Sequence, residues 1–134
     1  MWDEWKAAYL AHKLWHLDPR WMNGYDVIKM GVYNNAALVN TLFDGISVGS
    51  IEEGNKADLI LVDYHPYTEL NIDNLPWHIL FGFNESLITT TIVNGKILMA
   101  DHKLTTLDEE EISKEALRLS RGVWKRYTGF FNTN

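Results

Sequence analysis

The fold is decided by the stretch Gly49-Ser50-Ile51-Glu52-Glu53-Gly54-Asn55-Lys56-Ala57-Asp58-Leu59-Ile60-Leu61-Val62-Asp63, which joins a glycine-containing turn to an apolar run. Gly54 follows two acidic residues, so we expect a turn there with a positive φ, which glycine adopts without a Cβ clash. Residues 59–62 are all apolar, which predicts a strand buried on both faces. Asp58 is expected to accept hydrogen bonds from backbone amides where that strand begins.

Three helices are predicted before this stretch. Aromatic and histidine side chains recur at helical spacing near the start of the chain and predict a helix over residues 2–17. Two shorter helices are predicted over residues 25–30 and 36–42, separated by the polar pair Asn34-Asn35. The first part of the chain is therefore predicted to be helical.

A short helix and a hairpin are predicted after it. Residues 74–81 form a short apolar segment with a proline near its start, where the missing amide of proline costs a helix nothing. Residues 87–93 are rich in β-branched side chains and predict a strand. Asn94-Gly95 separates this strand from a second one over residues 96–99, which is the pattern of a two-residue type I′ turn.

The last predicted element is a long helix that begins near residue 106. Thr106 and Glu109 have the spacing of a capping box, acidic residues cluster after them, and basic residues dominate the later turns. This order of charges complements the helix dipole, so the acidic run is interpreted as a helix start rather than a metal site. The residues of its predicted apolar face are Ile112, Ala116, Leu119, Val123 and Tyr127.

Composition excludes several classes of protein. The 134 residues are 46% hydrophobic, which can supply a core for one domain, and they carry a formal net charge of −6. That charge argues against nucleic acid as a partner, because phosphate binding needs a basic face. The chain has no cysteine, no apolar run of the ~20 residues that cross a membrane, and no signal-peptide pattern at its start. We expect a cytoplasmic protein without a membrane partner.

A nucleophile motif occurs in the sequence without its context. Residues 45–49 match the Gly-x-Ser-x-Gly pattern, with Ser47 at the centre. A hydrolase nucleophile elbow needs a strand before the serine and a helix after it. A turn and a strand are predicted to follow instead, so we interpret Ser47 as a chance match.

The histidines and two aspartates are the candidate metal ligands or bases of the sequence. His12 and His16 are four residues apart on a predicted helix, but a zinc site needs at least a third ligand. We interpret them as structural residues on a partly buried aromatic face, and His78 as a hydrogen-bonded structural histidine. Asp58 and Asp63 would lie about 16 Å apart along a strand, too far to share a proton or a metal.

The two remaining histidines, His65 and His102, fall in predicted turns without evident partners. We therefore assign no catalytic, metal-binding or cofactor-binding residue to this sequence.

Four segments together resemble a known family. The string from Gly49 to Asp63 resembles the segment that opens a core strand in the small β-sandwich domain of the amidohydrolase superfamily. Further resemblances lie at residues 8–13, 76–82 and 92–96, in the order of that family's C-terminal region. The branch resembled is that of cytosine and guanine deaminases and chlorohydrolases, and most closely the aminohydrolases called SsnA.

The resemblance implies an α+β fold with three parts. Residues 1–43 would be helices from the end of a metal-dependent (β/α)8 barrel, residues 44–104 part of a composite β-sandwich, and residues 105–134 a C-terminal amphipathic helix and tail. The family's metal ligands, a His-x-His pair, two later histidines and an aspartate, lie on barrel segments without a match here. We therefore expect a C-terminal fragment, inert alone, of an enzyme that uses zinc or iron.

Two hypotheses for function follow. In the first, the fragment belongs to a hydrolase that acts on C–N or C–Cl bonds, with the missing N-terminal barrel as its partner. In the second, the chain is a complete noncatalytic α+β interaction or oligomerisation module. In the first hypothesis, a sheet without the strands that the family takes from its N-terminal end would have an uncovered edge or face, so we expect a homo-oligomer formed through that sheet.

Overall fold

The fold combines helices at the start and end of the chain with a four-stranded antiparallel sheet, and a computed structural model describes residues 1–131 of it. The helices are α1 (Trp2–His16), α2 (Gly24–Ile28), a π-helical segment (Lys29–Asn34), α3 (Asn35–Leu42), α4 (Leu75–Gly82), a 3-10 turn (Glu85–Leu87) and α5 (Glu109–Phe131). The strands are β1 (Leu59–Val62), β2 (Ile88–Val93), β3 (Lys96–Ala100) and β4 (Lys103–Leu104). The α+β class predicted from the sequence is confirmed.

Helix α1 ends at the position that the sequence predicts. Leu17 takes a left-handed conformation with φ 50°, which stops the helix before Asp18-Pro19. The ammonium of Lys13 then donates to the carbonyl oxygens of Pro19 and Trp21, at 2.6 and 2.7 Å. These bonds hold the turn that follows against the last part of the helix.

The predicted break at Asn34-Asn35 is wrong. The chain stays helical from Gly24 to Leu42 because a wider π-helical turn connects α2 to α3. The side-chain amide of Asn35 donates to the carbonyl oxygen of Gly31 at 3.1 Å, so the polar residue supports the helix instead of interrupting it.

The core lies where α1, α2 and α4 meet. Val27 and Leu80 are the buried hydrophobic side chains of the described residues, at 0% and 2% exposure. Tyr9 of α1 meets Phe81 of α4 edge to face, with the ring centroids 5.4 Å apart. Aromatic edge-to-face contacts of this kind add to the free energy of apolar burial, so α4 is the element against which the helical part packs.

The hairpin and the start of β1 are as predicted. Asn94 and Gly95 have φ angles of 48° and 76°, the two positive values of a type I′ turn between β2 and β3. The carboxylate of Asp58 accepts a hydrogen bond from the backbone amide of Asn94, which confirms the role predicted for this aspartate. Gly54 has the expected positive φ of 91°.

The predicted burial of β1 on both faces is wrong for the described residues. The sheet order is β1-β2-β3-β4, so β1 is an edge strand that pairs only with β2. Ile60 and Leu61 are 46% and 55% exposed. An apolar run therefore faces solvent because no second layer of residues 1–131 covers it.

The long helix α5 is present, but its predicted cap is wrong. The carboxylate of Asp108, rather than the Thr106 hydroxyl, accepts from the amides of Glu110 and Glu111, each at 3.0 Å. Glu109 turns back to accept from the amide of Leu104 at 3.2 Å. The helix begins at Glu109, and an aspartate directly before it is the nearer acceptor for its free amides.

The chain exposes far more surface than a monomer of its size. Its accessible surface is 10867 Å², whereas a folded monomer of this mass has about 7,200 Å². Large apolar side chains contribute much of it, among them Leu14, Trp15 and Ile51 at 75%, 84% and 87% exposure. No helix in residues 1–131 combines the length and apolar character needed to cross a membrane.

Two glycines before β1 allow a matched test of backbone packing. A Cβ at Gly49, where φ is +99°, would lie 2.3 Å from the Cβ of Ala36, whereas a Cβ at Gly45, where φ is +72°, would meet nothing within 4 Å. We expect Gly45→Ala to lower the free energy of unfolding by about 1–2 kcal/mol, the cost of a left-handed residue with a Cβ. Gly49→Ala should lose about 1–3 kcal/mol more through overpacking.

Urea denaturation followed by tryptophan fluorescence measures both values. Equal losses for the two variants would show that α3 does not pack on the Gly49 turn.

Candidate functional site

Ser47 lies outside the context of a nucleophile elbow. Helix α3 precedes it and strand β1 follows it, which is the reverse of the order that an elbow requires. Its carbonyl oxygen accepts from the amide of Lys56 at 2.8 Å. The side chain of Asn40 exchanges two hydrogen bonds with the backbone of Val48, at 2.9 and 3.1 Å. These hydrogen bonds hold in place the segment that connects α3 to β1.

The histidine pair of α1 is exposed rather than partly buried as the sequence predicts. The rings of His12 and His16 are nearly parallel, with centroids 6.1 Å apart, and His16 also stacks on Trp21 at 4.0 Å. Trp5 and Tyr9, earlier on the same helix, are half-buried. The aromatic face is buried only in its first part, because α4 packs near the beginning of α1.

Residues 1–131 gather no group of three or more histidine, aspartate or glutamate side chains that could hold a metal ion. That His12 and His16 do not bind metal stays a prediction.

His78 is held between two hydroxyl groups, as the sequence interpretation expects of a hydrogen-bonded histidine. The hydroxyl of Tyr64 lies 2.7 Å from its Nδ1 atom, and that of Thr68 lies 3.4 Å from its Nε2 atom. A hollow of about 530 Å³ opens beside the ring. Its lining residues are Tyr64, Tyr67, Thr68, Asn74, Trp77, His78, Phe81 and Gly82.

The geometry around His78 favours a structural role. A hydroxyl can donate or accept, so either neutral tautomer of the imidazole finds a partner on both nitrogens. A general base needs a nitrogen that faces the proton it removes. Gly82 permits the arrangement, because a Cβ there would lie 2.5 Å from the hydroxyl oxygen of Tyr64. The sequence offered no signal for this contact, since Tyr64 and His78 lie on different elements.

The remaining candidates lie apart from this hollow. His65 does have a partner, contrary to the sequence interpretation, because its Nδ1 atom lies 3.5 Å from the Asp63 carboxylate in an exposed pair. Asp58 instead accepts from the hairpin amide, so the two aspartates have different partners. His102 lies in the turn between β3 and β4, with φ 61° and its amide donating to the carbonyl of Thr89.

The resolved pKa shifts belong to exposed ion pairs rather than to this hollow. A hydrogen bond from Arg20 lowers the pKa of the Asp18 carboxyl, and one from Arg118 lowers the pKa of Glu115. A lowered carboxyl pKa adds stability above the unfolded-state value, and that stability is lost as the pH falls through the folded-state value. Arg20 and both members of the Glu115–Arg118 pair are exposed, whereas Asp18 is half-buried, so solvent screens the effect in both pairs.

The Tyr64–His78 contact gives a testable prediction. We expect Tyr64→Phe to lower the free energy of unfolding by about 1 kcal/mol, because it leaves Nδ1 of His78 without its hydroxyl partner. The matched control is Tyr67→Phe at the same hollow, since Tyr67 is fully exposed. Urea denaturation measures the stability, and the ¹⁵N shifts of the imidazole report its tautomer. A loss of equal size in both variants would contradict this account of His78.

Several deaminases are similar in sequence to the chain. The 5'-deoxyadenosine deaminase of Methanosarcina barkeri is 34% identical over 126 residues, which cover 94% of this chain and 28% of that protein. That of Methanobrevibacter smithii is 38% identical over 119 residues, or 85% of this chain and 26% of that protein. The 5-methylthioadenosine/S-adenosylhomocysteine deaminase of Thermococcus onnurineus is 38% identical over 104 residues, which cover 78% of this chain and 23% of that protein. The chain spans about a quarter of the length of these relatives.

Two solved structures share the fold. An adenosine deaminase from Xanthomonas campestris with bound zinc superposes with a TM-score of 0.74 at 18% identity, over 93% of this chain and 28% of that one. A mutant of the atrazine chlorohydrolase TrzN from Arthrobacter aurescens, complexed with zinc and atraton, gives a TM-score of 0.65 at 19% identity. The superposition covers 89% of this chain and 26% of that one.

The sequence model described as "Amidohydrolase family" matches residues 1–98, which include the Gly49–Asp63 stretch, the Tyr64–His78 contact and the β2–β3 turn. The match covers well over half of the chain, and it confirms the family resemblance expected from the four sequence segments. Sequence, fold and relatives agree: the chain belongs to the amidohydrolase family.

Proposed function

We propose that this chain is the C-terminal part of a metal-dependent amidohydrolase and that it acts as scaffold for a catalytic barrel formed by other segments. The observation that carries the proposal is the large apolar surface that residues 1–131 leave uncovered, beside a core with few fully buried side chains. An apolar surface of this extent favours association with another protein surface.

The helical part offers one side of the proposed interface. Leu14 and Trp15 near the end of α1 are 75% and 84% exposed, and Leu38 and Leu42 of α3 are 58% and 65% exposed. In the proposed arrangement these helices pack on the last strands of the (β/α)8 barrel. Burial of one such side chain contributes about 1.5–3 kcal/mol, so a few of them suffice for a stable junction.

The sheet offers the other side. β1 is an edge strand with exposed apolar residues, and further strands from the N-terminal part of an amidohydrolase would pair with it and complete the small β-sandwich. In the absence of that part, the same edge or face would pair with a second copy of this chain. The proposed partners of the sheet are therefore the missing barrel segment or a homo-oligomer.

The reaction proposed for the whole enzyme is hydrolytic deamination. The similar proteins are named as deaminases of adenine nucleosides, which favours a C–N bond on a heterocycle as the target, with the C–Cl bond of a chlorohydrolase as the second possibility. Zinc or iron bound by the barrel would supply an activated water. In this proposal the chain's own residues hold the barrel's end in place and bind neither metal nor substrate.

Complementation tests this function. The chain would be co-expressed with a 5'-deoxyadenosine deaminase of Methanosarcina barkeri that lacks the segment aligned with it. We expect the two pieces to co-purify and to release ammonia from 5'-deoxyadenosine, whereas each piece alone should be inactive. The Leu61→Glu variant should abolish co-purification, because it places a charge in the proposed interface.

Deaminase activity of the purified chain alone would overturn the proposal. Failure of the wild-type chain to associate would favour the interaction module instead.

Metal content gives a second test. After incubation with zinc and dialysis, we expect the isolated chain to retain well under one equivalent, because two exposed histidines on one helix make an incomplete site. The double variant His12→Ala/His16→Ala should retain the same amount. One equivalent of zinc in the wild-type chain that disappears in the double variant would contradict the assignment of the metal to the barrel.

A further inference from the structure

Helix α5 has 23 residues, and no other part of the described chain covers its surface. Each of its residues is exposed except Ser120, which is half-buried. Helices in water gain most of their stability by packing an apolar face, and residues 1–131 supply no surface that buries this one. A helix of this length therefore needs a partner outside its own fold.

An apolar seam runs along α5. Ile112, Ala116, Leu119 and Val123 advance by four, three and four residues, which places them in one stripe. Ile112, Leu119 and Val123 are 50%, 54% and 52% exposed. The small side chain of Ala116 leaves a hollow of about 410 Å³ between its neighbours, a shape that receives a side chain from a facing helix.

The charges of α5 change sign along its length. Its first turns are acidic, and its later turns carry Arg118, Arg121, Lys125 and Arg126. Two ion pairs lie within the helix, Glu110–Lys114 in its first turns and Glu115–Arg118 nearer its middle. The helix dipole favours the same distribution, but it supplies no partner for the charged groups at the two ends.

Glu111 and Arg126 are such end groups, and neither forms an ion pair within residues 1–131. The two residues lie about 22 Å apart along the helix axis and about 60° apart around it. Both therefore lie on the same side of the apolar seam, which we call its flank. Neither can reach the other within one helix.

We propose that α5 pairs in antiparallel orientation with α5 of a second copy of this chain. In that orientation, with the seams facing each other and residue 119 near the crossing point, Glu111 of each copy lies opposite Arg126 of the other. A parallel pair would leave both groups without a partner, because the same flank of the two copies would then lie on opposite sides of the interface. Charge complementarity therefore selects a second copy, and it selects one orientation.

A glycine on the same flank supports a close approach. Gly122 lies inside α5, where glycine costs about 1 kcal/mol relative to alanine. A Cβ at this position would meet only the guanidinium of Arg126, at 3.7 Å, so packing among the described residues does not require a glycine. A facing helix at short distance does require a small residue there. This pairing is independent of the proposed scaffold role, which uses α1, α3 and the sheet.

Cysteine cross-linking tests the orientation, because the chain has no cysteine of its own. Glu111→Cys and Arg126→Cys variants would be purified separately, mixed and oxidised. We expect the mixture to form a disulfide-linked dimer rapidly, whereas Glu111→Cys alone should remain largely uncross-linked. Equal or faster cross-linking of Glu111→Cys alone would overturn the antiparallel arrangement.

Sedimentation equilibrium on the full chain tests whether the apolar seam of α5 forms the dimer interface. We expect Leu119→Glu to raise the dimer dissociation constant at least tenfold, because it places a charge in the seam. The matched control is Leu117→Glu, since Leu117 is 62% exposed and lies about 160° around the helix from residue 119. It should leave the dissociation constant unchanged. Circular dichroism checks that both variants keep their helix content.

Charge reversal adds a test that does not depend on apolar residues. Glu111→Arg and Arg126→Glu should each weaken the dimer, and the double variant should restore it. A wild-type chain that stays monomeric at high concentration would overturn the proposal. So would a dimer that tolerates Leu119→Glu, because it would form through the sheet or another surface.

Discussion

The contact between Tyr64 and α4 is the interaction on which the arrangement of helices and sheet depends. Tyr64 follows β1 almost directly, its hydroxyl meets His78, and its ring packs against Phe83 with the centroids 4.8 Å apart. Gly82 leaves the space that the tyrosine occupies. Since α4 also carries Leu80 into the helical core beside Val27 of α2, one aromatic side chain connects the edge strand to the buried residues of the helical part. The structural role of His78 stays a prediction that its two hydroxyl neighbours favour.

Family membership and exposed surface lead to the same view of the chain. It spans about a quarter of the deaminases that it resembles, and its helices and sheet leave apolar residues such as Trp15 and Leu61 in contact with solvent. A domain with its own complete core would bury such residues. The molecule is therefore best described by the apolar surfaces that it leaves exposed on its helical part, its sheet and α5.

Local patterns predicted local structure well. The end of α1, the two positive φ angles at Asn94-Gly95 and the role of Asp58 follow from short segments whose chemistry permits few alternatives. The Ser47 context was also predictable, because the motif needs neighbours of a defined type. Errors arose where a side chain found an unexpected partner. Asn35 bonds to the carbonyl of Gly31 and keeps the helix continuous, and Asp108 replaces Thr106 as the cap of α5.

Burial was the least predictable property. The apolar run of β1 indicates a strand that is covered on both sides, but the covering layer is absent from the described residues, so the run faces solvent. His12 and His16 are exposed for a related reason, since α4 packs only near the start of α1. The Tyr64–His78 contact depends on how two distant elements meet, which no spacing in the sequence reveals.

The hydrogen bond between Asp58 and Asn94 has a consequence for the order of folding. The β2–β3 hairpin needs only a two-residue loop, whereas β1 joins it through a contact between residues 36 positions apart in the sequence. Short loops close faster and at lower entropic cost than long ones. The hairpin can therefore form early as a template, and β1 is recruited to it later. We expect β1 to be protected later than the hairpin, which leaves its edge open longer to pairing with another chain.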